Sequence, residues 1–189
     1  GRRQVEDSEG IEPQRRTLAR SASVLRFMAA SEMALAVRKK VLSPLEIVRT
    51  LLARIEKINP RVNAYCTVAS EMALEAAKKS EGEVMRGGDI GPLHGVPVSI
   101  KDLTPTAGIR TTFGSKIFEH HVPQEDALCV QRLKAAGAIV IGKTNTPEFG
   151  AGANTYNAVF GVTRNPWKLS HTCGGSSGGA AVALACGLG

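Results

Sequence analysis

The spacing of apolar residues predicts three helices in the first half of the chain. They cover about residues 31–38, 43–59 and 70–85. The second has the clearest start, because Ser43 can cap it, Pro44 suits the first helical position and Glu46 completes a capping box. Its apolar residues then recur at helical spacing. We expect it to end at Asn59, since the residue before a proline avoids the helical conformation.

The second half of the chain alternates between strands and helices. Short β-type runs are predicted over 96–100 and 138–141, a helix over 125–136, and a loop rich in Thr, Pro and Gly over 104–115. Helices that alternate with short buried strands are typical of layered α/β folds. The predicted fold class is therefore α/β.

A glycine-rich segment near position 176 is the strongest chemical signal. Ser176 and Ser177 lie between two pairs of glycines, and a small apolar helix is predicted to follow at once. Glycines permit turns that side chains would block, and a helix start presents free N–H groups. One alternative is a flexible linker, although linkers do not run straight into an apolar helix. Another is a G-x-S-x-G nucleophile elbow, but the polar, proline-broken residues 165–171 do not form the strand that it requires.

Lys101 ends the predicted strand that begins at residue 96. It follows ten residues without Asp, Glu, Lys or Arg, and its neighbour Asp102 is expected on the opposite face of the strand. A lysine that faces inward is desolvated, loses its proton more readily and can act as a base on a serine hydroxyl. The alternative is an ordinary strand-end lysine with its ammonium group in water.

The segment Gly137–Thr144 satisfies the phosphate-loop pattern G-x-x-x-x-G-K-[ST]. A P-loop nucleotide-binding module is therefore the alternative function of a different class. The middle of the pattern reads Ala-Ile-Val-Ile, which predicts a strand, and no helix is expected after Lys143. Tight ATP–Mg binding that Lys143→Ala abolishes would support this alternative.

Composition narrows the remaining possibilities. The 189-residue chain has a net charge of +7, and residues 1–22 are predicted to be a polar, disordered leader. Scarce aromatic residues argue against direct nucleic-acid binding. The four cysteines lack disulfide-like spacing, no segment suits a membrane span, and a cytoplasmic location is expected. The four histidines lack metal-ligand spacing, so neither a metal nor another cofactor is predicted.

Together, Lys101 and the block Gly174-Gly-Ser-Ser-Gly-Gly179 resemble the amidase signature family. Further motifs agree with the resemblance, which extends over about residues 30–189; they are Gly91–Asp102, Thr111–Ser115, Gly142–Gly150 and Asn165–Trp167. The resemblance implies an incomplete portion of the amidase signature fold, a mixed sheet flanked by helices. Residues 23–189 would be the N-terminal part of one such domain, truncated at its C-terminus.

The resemblance also implies a Ser–cis-Ser–Lys triad. Lys101 matches the lysine of the family, and Ser176 matches the bridging serine, which follows a cis peptide bond. The acyl-enzyme serine would lie near position 200, outside this chain. Supporting roles fall to Ser177 and Gly175 in the turn, and to Phe149, Gly150 and Ala151 at the border of the acyl pocket.

The implied function is hydrolysis of a small carboxylic amide through an acyl-enzyme intermediate. These 189 residues alone are expected to be inactive, because the nucleophile is missing. The alternative within the resemblance is the glutamine-hydrolysing A subunit of a tRNA-dependent amidotransferase, which would have partner subunits. A homodimer is a further alternative that the resemblance leaves open.

Overall fold

A computed structural model describes residues 25–189, so the leader predicted over 1–22 lies outside the described residues. The helices are α1 (Ala30–Arg38), α2 (Pro44–Val62), α3 (Ser70–Arg86), α4 (Leu128–Ala135) and α5 (Gly178–Ala185). The strands are β1 (Tyr65–Val68), β2 (Pro97–Lys101), β3 (Ile139–Thr144), β4 (Tyr156–Asn157) and β5 (Gly161–Val162). Two 3₁₀ turns cover Lys116–Phe118 and Glu148–Gly150.

Helix α2 begins as predicted and ends later than predicted. The hydroxyl of Ser43 accepts a hydrogen bond from the backbone N–H of Glu46 at 3.2 Å. The helix then passes through Pro60 and ends at Val62, followed by Asn63 in the left-handed conformation with φ 52°. The predicted end at Asn59 was wrong. A proline in the last turn removes only one backbone hydrogen bond, and the other hydrogen bonds of the helix remain.

The main sheet has three strands in the order β1-β3-β2. Strand β3 pairs in parallel with β2 and antiparallel with β1. All six residues of β3 are buried, and it continues three residues beyond the predicted apolar run, through Gly142, Lys143 and Thr144. Pairing on both sides, rather than apolar character, holds these last residues in the strand. The mixed sheet flanked by helices confirms the predicted α/β fold class.

Helix α4 is shorter than predicted because the residues before it are bound elsewhere. The carboxylate of Asp126 accepts a hydrogen bond from the backbone N–H of Ala107 at 2.8 Å. It also accepts two from the ammonium group of Lys134, at 2.9 and 2.7 Å. These contacts hold Asp126 against a neighbouring loop, so the helix begins at Leu128 instead of Glu125.

The start of α5 lies directly against the end of β3. A Cβ atom added to Gly179 would lie 2.6 Å from the carbonyl oxygen of Asn145 and 2.8 Å from that of Ala64. Only a residue without a side chain allows this approach. Because backbone atoms form the barrier, no rotamer change can make room for a larger residue.

We predict that Gly179→Ala lowers the free energy of unfolding by about 1–3 kcal/mol or more, because the methyl group overlaps backbone atoms. Gly82→Ala is the matched control, since Gly82 is also helical but only the side chain of Arg86 lies near, at 3.4 Å. This control should gain roughly 0.5–1 kcal/mol from helix propensity. Denaturant unfolding measures both, and equal stability of the two variants would contradict the packing described.

A layer of buried polar residues lies between β2, β3 and the loop after β2. Lys143 is fully buried, and its ammonium group donates hydrogen bonds to the carbonyl oxygen of Thr104 and to the hydroxyl of Thr106. Asp102 is also fully buried and accepts hydrogen bonds from the backbone N–H and the hydroxyl of Thr112, the latter at 2.6 Å. Burial lowers the pKa of Lys143 to about 8, against an opposing effect of Asp102.

This burial predicts that stability rises with pH in the alkaline range. The folded chain loses the Lys143 proton at a pKa of about 8 and the unfolded chain at its ordinary 10.5. Between these values the unfolded state binds more protons, so the free energy of unfolding increases with pH, by at most about 1.4 kcal/mol per pH unit. The measurement is the difference between wild type and Lys143→Met across this range.

The exposed Lys116 provides the control for this comparison. Lys116→Met should keep the pH dependence of the wild type, because its side chain is 61% exposed. Lys143→Met should lose the part of the slope that a buried ammonium group produces. If both variants follow the wild type, Lys143 is not the group that titrates.

Candidate active site

The structure brings Lys101 and the serine pair together. The ammonium nitrogen of Lys101, at the end of β2, lies 2.9 Å from the hydroxyl oxygen of Ser176 and 3.0 Å from that of Ser177. The lysine and the first serine are 75 residues apart in sequence, so the fold alone creates this contact. The amine donates to both hydroxyl groups.

A glycine turn presents the serines to Lys101. Gly174 has φ 74°, a conformation that favours glycine, and the peptide bond between Gly175 and Ser176 is cis. Helix α5 begins directly after Ser177. Ser176 is partly buried, whereas Ser177 is exposed. The turn therefore places the hydroxyl of Ser176 on the inner side of the site.

The surroundings of Lys101 make its amine easier to deprotonate than that of an ordinary lysine. Burial lowers the pKa of its amine below the ordinary value. Among residues 25–189 no carboxylate lies within ion-pair distance of this amine, and the neighbouring Asp102 is bound to Thr112. The lysine is only partly buried, and Asp102 is the fully buried member of the pair. The amine thus remains accessible, and no ion pair among residues 25–189 stabilises its charged form.

The three residues predicted to border the acyl pocket lie on the segment after β3. Ala151 lines a cavity of about 380 Å³, together with Asn154, whose backbone lies against Gly175 of the serine turn. Gly150 packs so closely on the side chain of Leu103 that a Cβ atom would lie 2.6 Å from it. Phe149 is 53% exposed. These contacts place the segment next to the residues that follow the lysine strand and next to the serine turn.

Two features near this segment were not predicted from the sequence. One is an aromatic cluster, in which the ring of Phe118 contacts Phe113 at 5.1 Å and Phe149 at 6.3 Å between centroids. The other is Thr155, a buried threonine that contacts the glycine turn. Phe113 and Phe149 lie within motifs quoted above, but their contacts with Phe118, like those of Thr155 with the turn, exist only once the chain has folded.

The alternative motifs take other forms in the structure. The segment that matches the phosphate-loop pattern forms β3 and is not followed by an α-helix, and the ammonium group of Lys143 is buried inside the protein. The segment before the serines contains no strand of the kind that a nucleophile elbow requires. Within residues 25–189, no group of three His, Cys, Asp or Glu side chains is placed to hold a metal ion. No helix of the described part is long and apolar enough to cross a bilayer.

Several known proteins resemble this chain in sequence or in fold. The chain is 46% identical over 163 residues to the A subunit of the glutamyl-tRNA(Gln) amidotransferase of Carboxydothermus hydrogenoformans, covering 86% of this chain and 34% of that protein. It is 44% identical over 165 residues to an acylamidase of Rhodococcus erythropolis, covering 87% and 35%. A solved bacterial aryl acylamidase of the amidase signature enzymes family superposes with a TM-score of 0.81 at 33% identity, covering 86% and 34%.

The chain spans about a third of the length of the curated relatives it matches. A family model described as Amidase matches residues 46–189, which is more than half of the chain. The match includes β2, β3 and the serine turn, the elements that build the lysine–serine contact. This chain therefore belongs to the amidase signature family.

Proposed function

We propose that this chain carries the base and the bridging serine of an amidase, which hydrolyses a carboxylic amide to an acid and ammonia or an amine. The observation that carries the proposal is the 2.9 Å contact between the amine of Lys101 and the hydroxyl of Ser176. A base within hydrogen-bond distance of a hydroxyl group is the arrangement that activates a serine. The pKa of Lys101, lowered by burial, supports the same role.

The proposed reaction moves one proton along a relay. The neutral amine of Lys101 accepts the proton of Ser176, which accepts one from a nucleophilic serine contributed by polypeptide outside these 189 residues. That serine attacks the amide carbonyl, and the relay returns the proton to the leaving nitrogen as the C–N bond breaks. Water then attacks the acyl-enzyme ester by the same relay and releases the acid. The backbone N–H groups that would stabilise the oxyanion belong with the nucleophile.

The supporting roles follow the contacts of the site. Ser177 accepts a second hydrogen bond from Lys101 and steadies the amine beside Ser176. Gly175 allows the turn to pass close to Asn154. Phe149, Gly150 and Ala151 would border the acyl group of the substrate. A cytoplasmic location belongs to this proposal and is supported by four cysteines that are all free thiols.

In the complete enzyme, Lys101→Ala should lower kcat by roughly three orders of magnitude or more, because the relay loses its base. For the wild type, kcat/KM should rise with pH until Lys101 is neutral, at a pH below that of an ordinary lysine. Hydrolysis of a panel of aliphatic and aryl amides measures both. The exposed Lys116→Ala is the control and should retain normal turnover.

The two serines provide a second comparison within the same assay. Ser176→Ala should match the loss seen for Lys101→Ala, because both interrupt one relay. Ser177→Ala should lose less, since Ser177 is exposed and only supports the amine. Near-normal turnover of Lys101→Ala, or a larger loss at Ser177 than at Ser176, would contradict the proposed roles.

A second candidate function is that of the glutamine-hydrolysing component of a tRNA-dependent amidotransferase. The 46% identity to such a component favours it. In this role the protein would hydrolyse glutamine and pass the ammonia to a partner. Glutamine hydrolysis that is weak for the protein alone and rises when the partner components of an amidotransferase are added would support this candidate. Efficient hydrolysis of simple amides without a partner would support the amidase.

A further inference from the structure

One buried hydroxyl group connects both ends of the serine turn. The hydroxyl of Thr155 donates a hydrogen bond to the carbonyl oxygen of Gly174 at 2.9 Å. It accepts another from the backbone N–H of Gly178 at 3.0 Å. The backbone N–H of Thr155 also donates to the carbonyl oxygen of Gly174, at 3.0 Å. Thr155 is only 1% exposed, so water does not compete for these groups.

The turn fits closely around this hydroxyl group. A Cβ atom at Gly178 would overlap the hydroxyl oxygen of Thr155 and lie 2.6 Å from the sulfur of Cys173. At Gly175 a Cβ atom would lie 3.0 Å from the same oxygen. Glycines at both positions therefore let the backbone approach Thr155 until its hydroxyl can bind donor and acceptor at once.

The two bonds fix the residues on either side of the candidate serines. Only residues 175–177 lie between the carbonyl group of Gly174 and the N–H group of Gly178, and Ser176 is the middle one. A short segment fixed at both ends has few conformations, so these bonds restrict where the hydroxyl of Ser176 can lie. The contact with Lys101, at 2.9 Å, depends on that position.

We infer that Thr155 is a positioning residue for the lysine–serine relay. Its hydroxyl holds the turn closed and thereby keeps Ser176 within hydrogen-bond distance of Lys101. Among residues 25–189, no hydrogen bond joins Thr155 to the amine of Lys101. Thr155 therefore acts on the amine through the turn. The inference rests on the proposed function, in which Ser176 passes a proton to Lys101.

Thr163 offers a closely matched comparison. It is likewise 1% exposed, and its hydroxyl also donates one hydrogen bond and accepts one, to the carbonyl oxygen of Asn63 at 2.6 Å and from the side-chain amide of Asn145 at 3.0 Å. Its hydroxyl hydrogen bonds involve no residue of the serine turn. The backbone N–H of Thr163 donates to the carbonyl oxygen of Thr155 at 2.9 Å, and a valine at position 163 keeps that bond. Thr155→Val and Thr163→Val each remove one buried hydroxyl group, and only the first removes hydrogen bonds to the serine turn.

The first measurement is steady-state kinetics of the complete enzyme on an amide substrate. Thr155→Val should lower kcat roughly 10- to 100-fold, because a reacting group displaced by about 1 Å loses this much. KM should change less than about threefold, since substrate binding is not altered. Thr155→Ser, which keeps the hydroxyl group, should restore most of kcat. Thr163→Val should lose stability but keep kcat.

The second measurement does not depend on activity. Trace labelling with acetic anhydride, followed by mass spectrometry of the Lys101 peptide, reports how firmly the two hydroxyl groups hold this amine. Labelling of Lys101 should be severalfold faster in Thr155→Val than in the wild type, and unchanged in Thr163→Val. If the wild type hydrolyses no amide, the proposed function fails, while labelling still tests the role of Thr155.

Three results would overturn the inference. One is a kcat for Thr155→Val equal to that of Thr163→Val, with equal labelling of Lys101. Another is a failure of Thr155→Ser to recover turnover. The third is unfolding of both Thr155→Val and Thr155→Ala while Thr163→Val stays folded, because the hydroxyl would then stabilise the whole domain rather than the turn.

Discussion

The close approach of α5 to the end of β3 is the constraint on which the site depends. The helix begins with two glycines, and the second lies where a Cβ atom would overlap the backbone of Asn145. This contact fixes the first turn of α5 beside the sheet, and the two candidate serines directly precede it. Lys101 ends the neighbouring strand, so the same contact brings the serines within reach of its amine. The glycines allow the close approach of the helix to the sheet, and the serine hydroxyl groups and the lysine amine are the reactive groups proposed for the site.

Two lysines lie near the ends of β2 and β3, and they differ in how deeply they are buried. Lys143 is fully buried, and a carbonyl and a hydroxyl oxygen accept its hydrogen bonds. Lys101 is partly exposed, and its hydrogen bonds within residues 25–189 go to two serine hydroxyl groups. Both have a lowered pKa because of burial. Ser177 is exposed, whereas Thr106 is fully buried, and the proposed base is the less buried of the two lysines.

The loop after β3 connects the pocket to the serine turn. Asn145, at its start, accepts a hydrogen bond from the side chain of Asn157 at 2.7 Å, and Asn157 in turn binds the backbone N–H of Phe160 at 2.8 Å. These buried amides connect the two ends of the loop, and Thr155 lies between them. The segment that borders the cavity and the hydroxyl that closes the turn are therefore parts of one hydrogen-bonded unit.

The sequence alone determined the elements whose causes are local. The cap at Ser43 fixed the start of α2, apolar spacing gave the other helices, and the lysine strand with the glycine–serine block identified the family. Tertiary structure decided the features that depend on distant partners. Helix α2 continues through Pro60, α4 begins only after Asp126, and β3 extends into polar residues. It also decided the burial of Lys143 and the role of Thr155, since hydrogen bonds between loops leave no periodic pattern in a sequence. Local propensity acts between neighbours, whereas burial and hydrogen-bond partners exist only once separate segments have packed together.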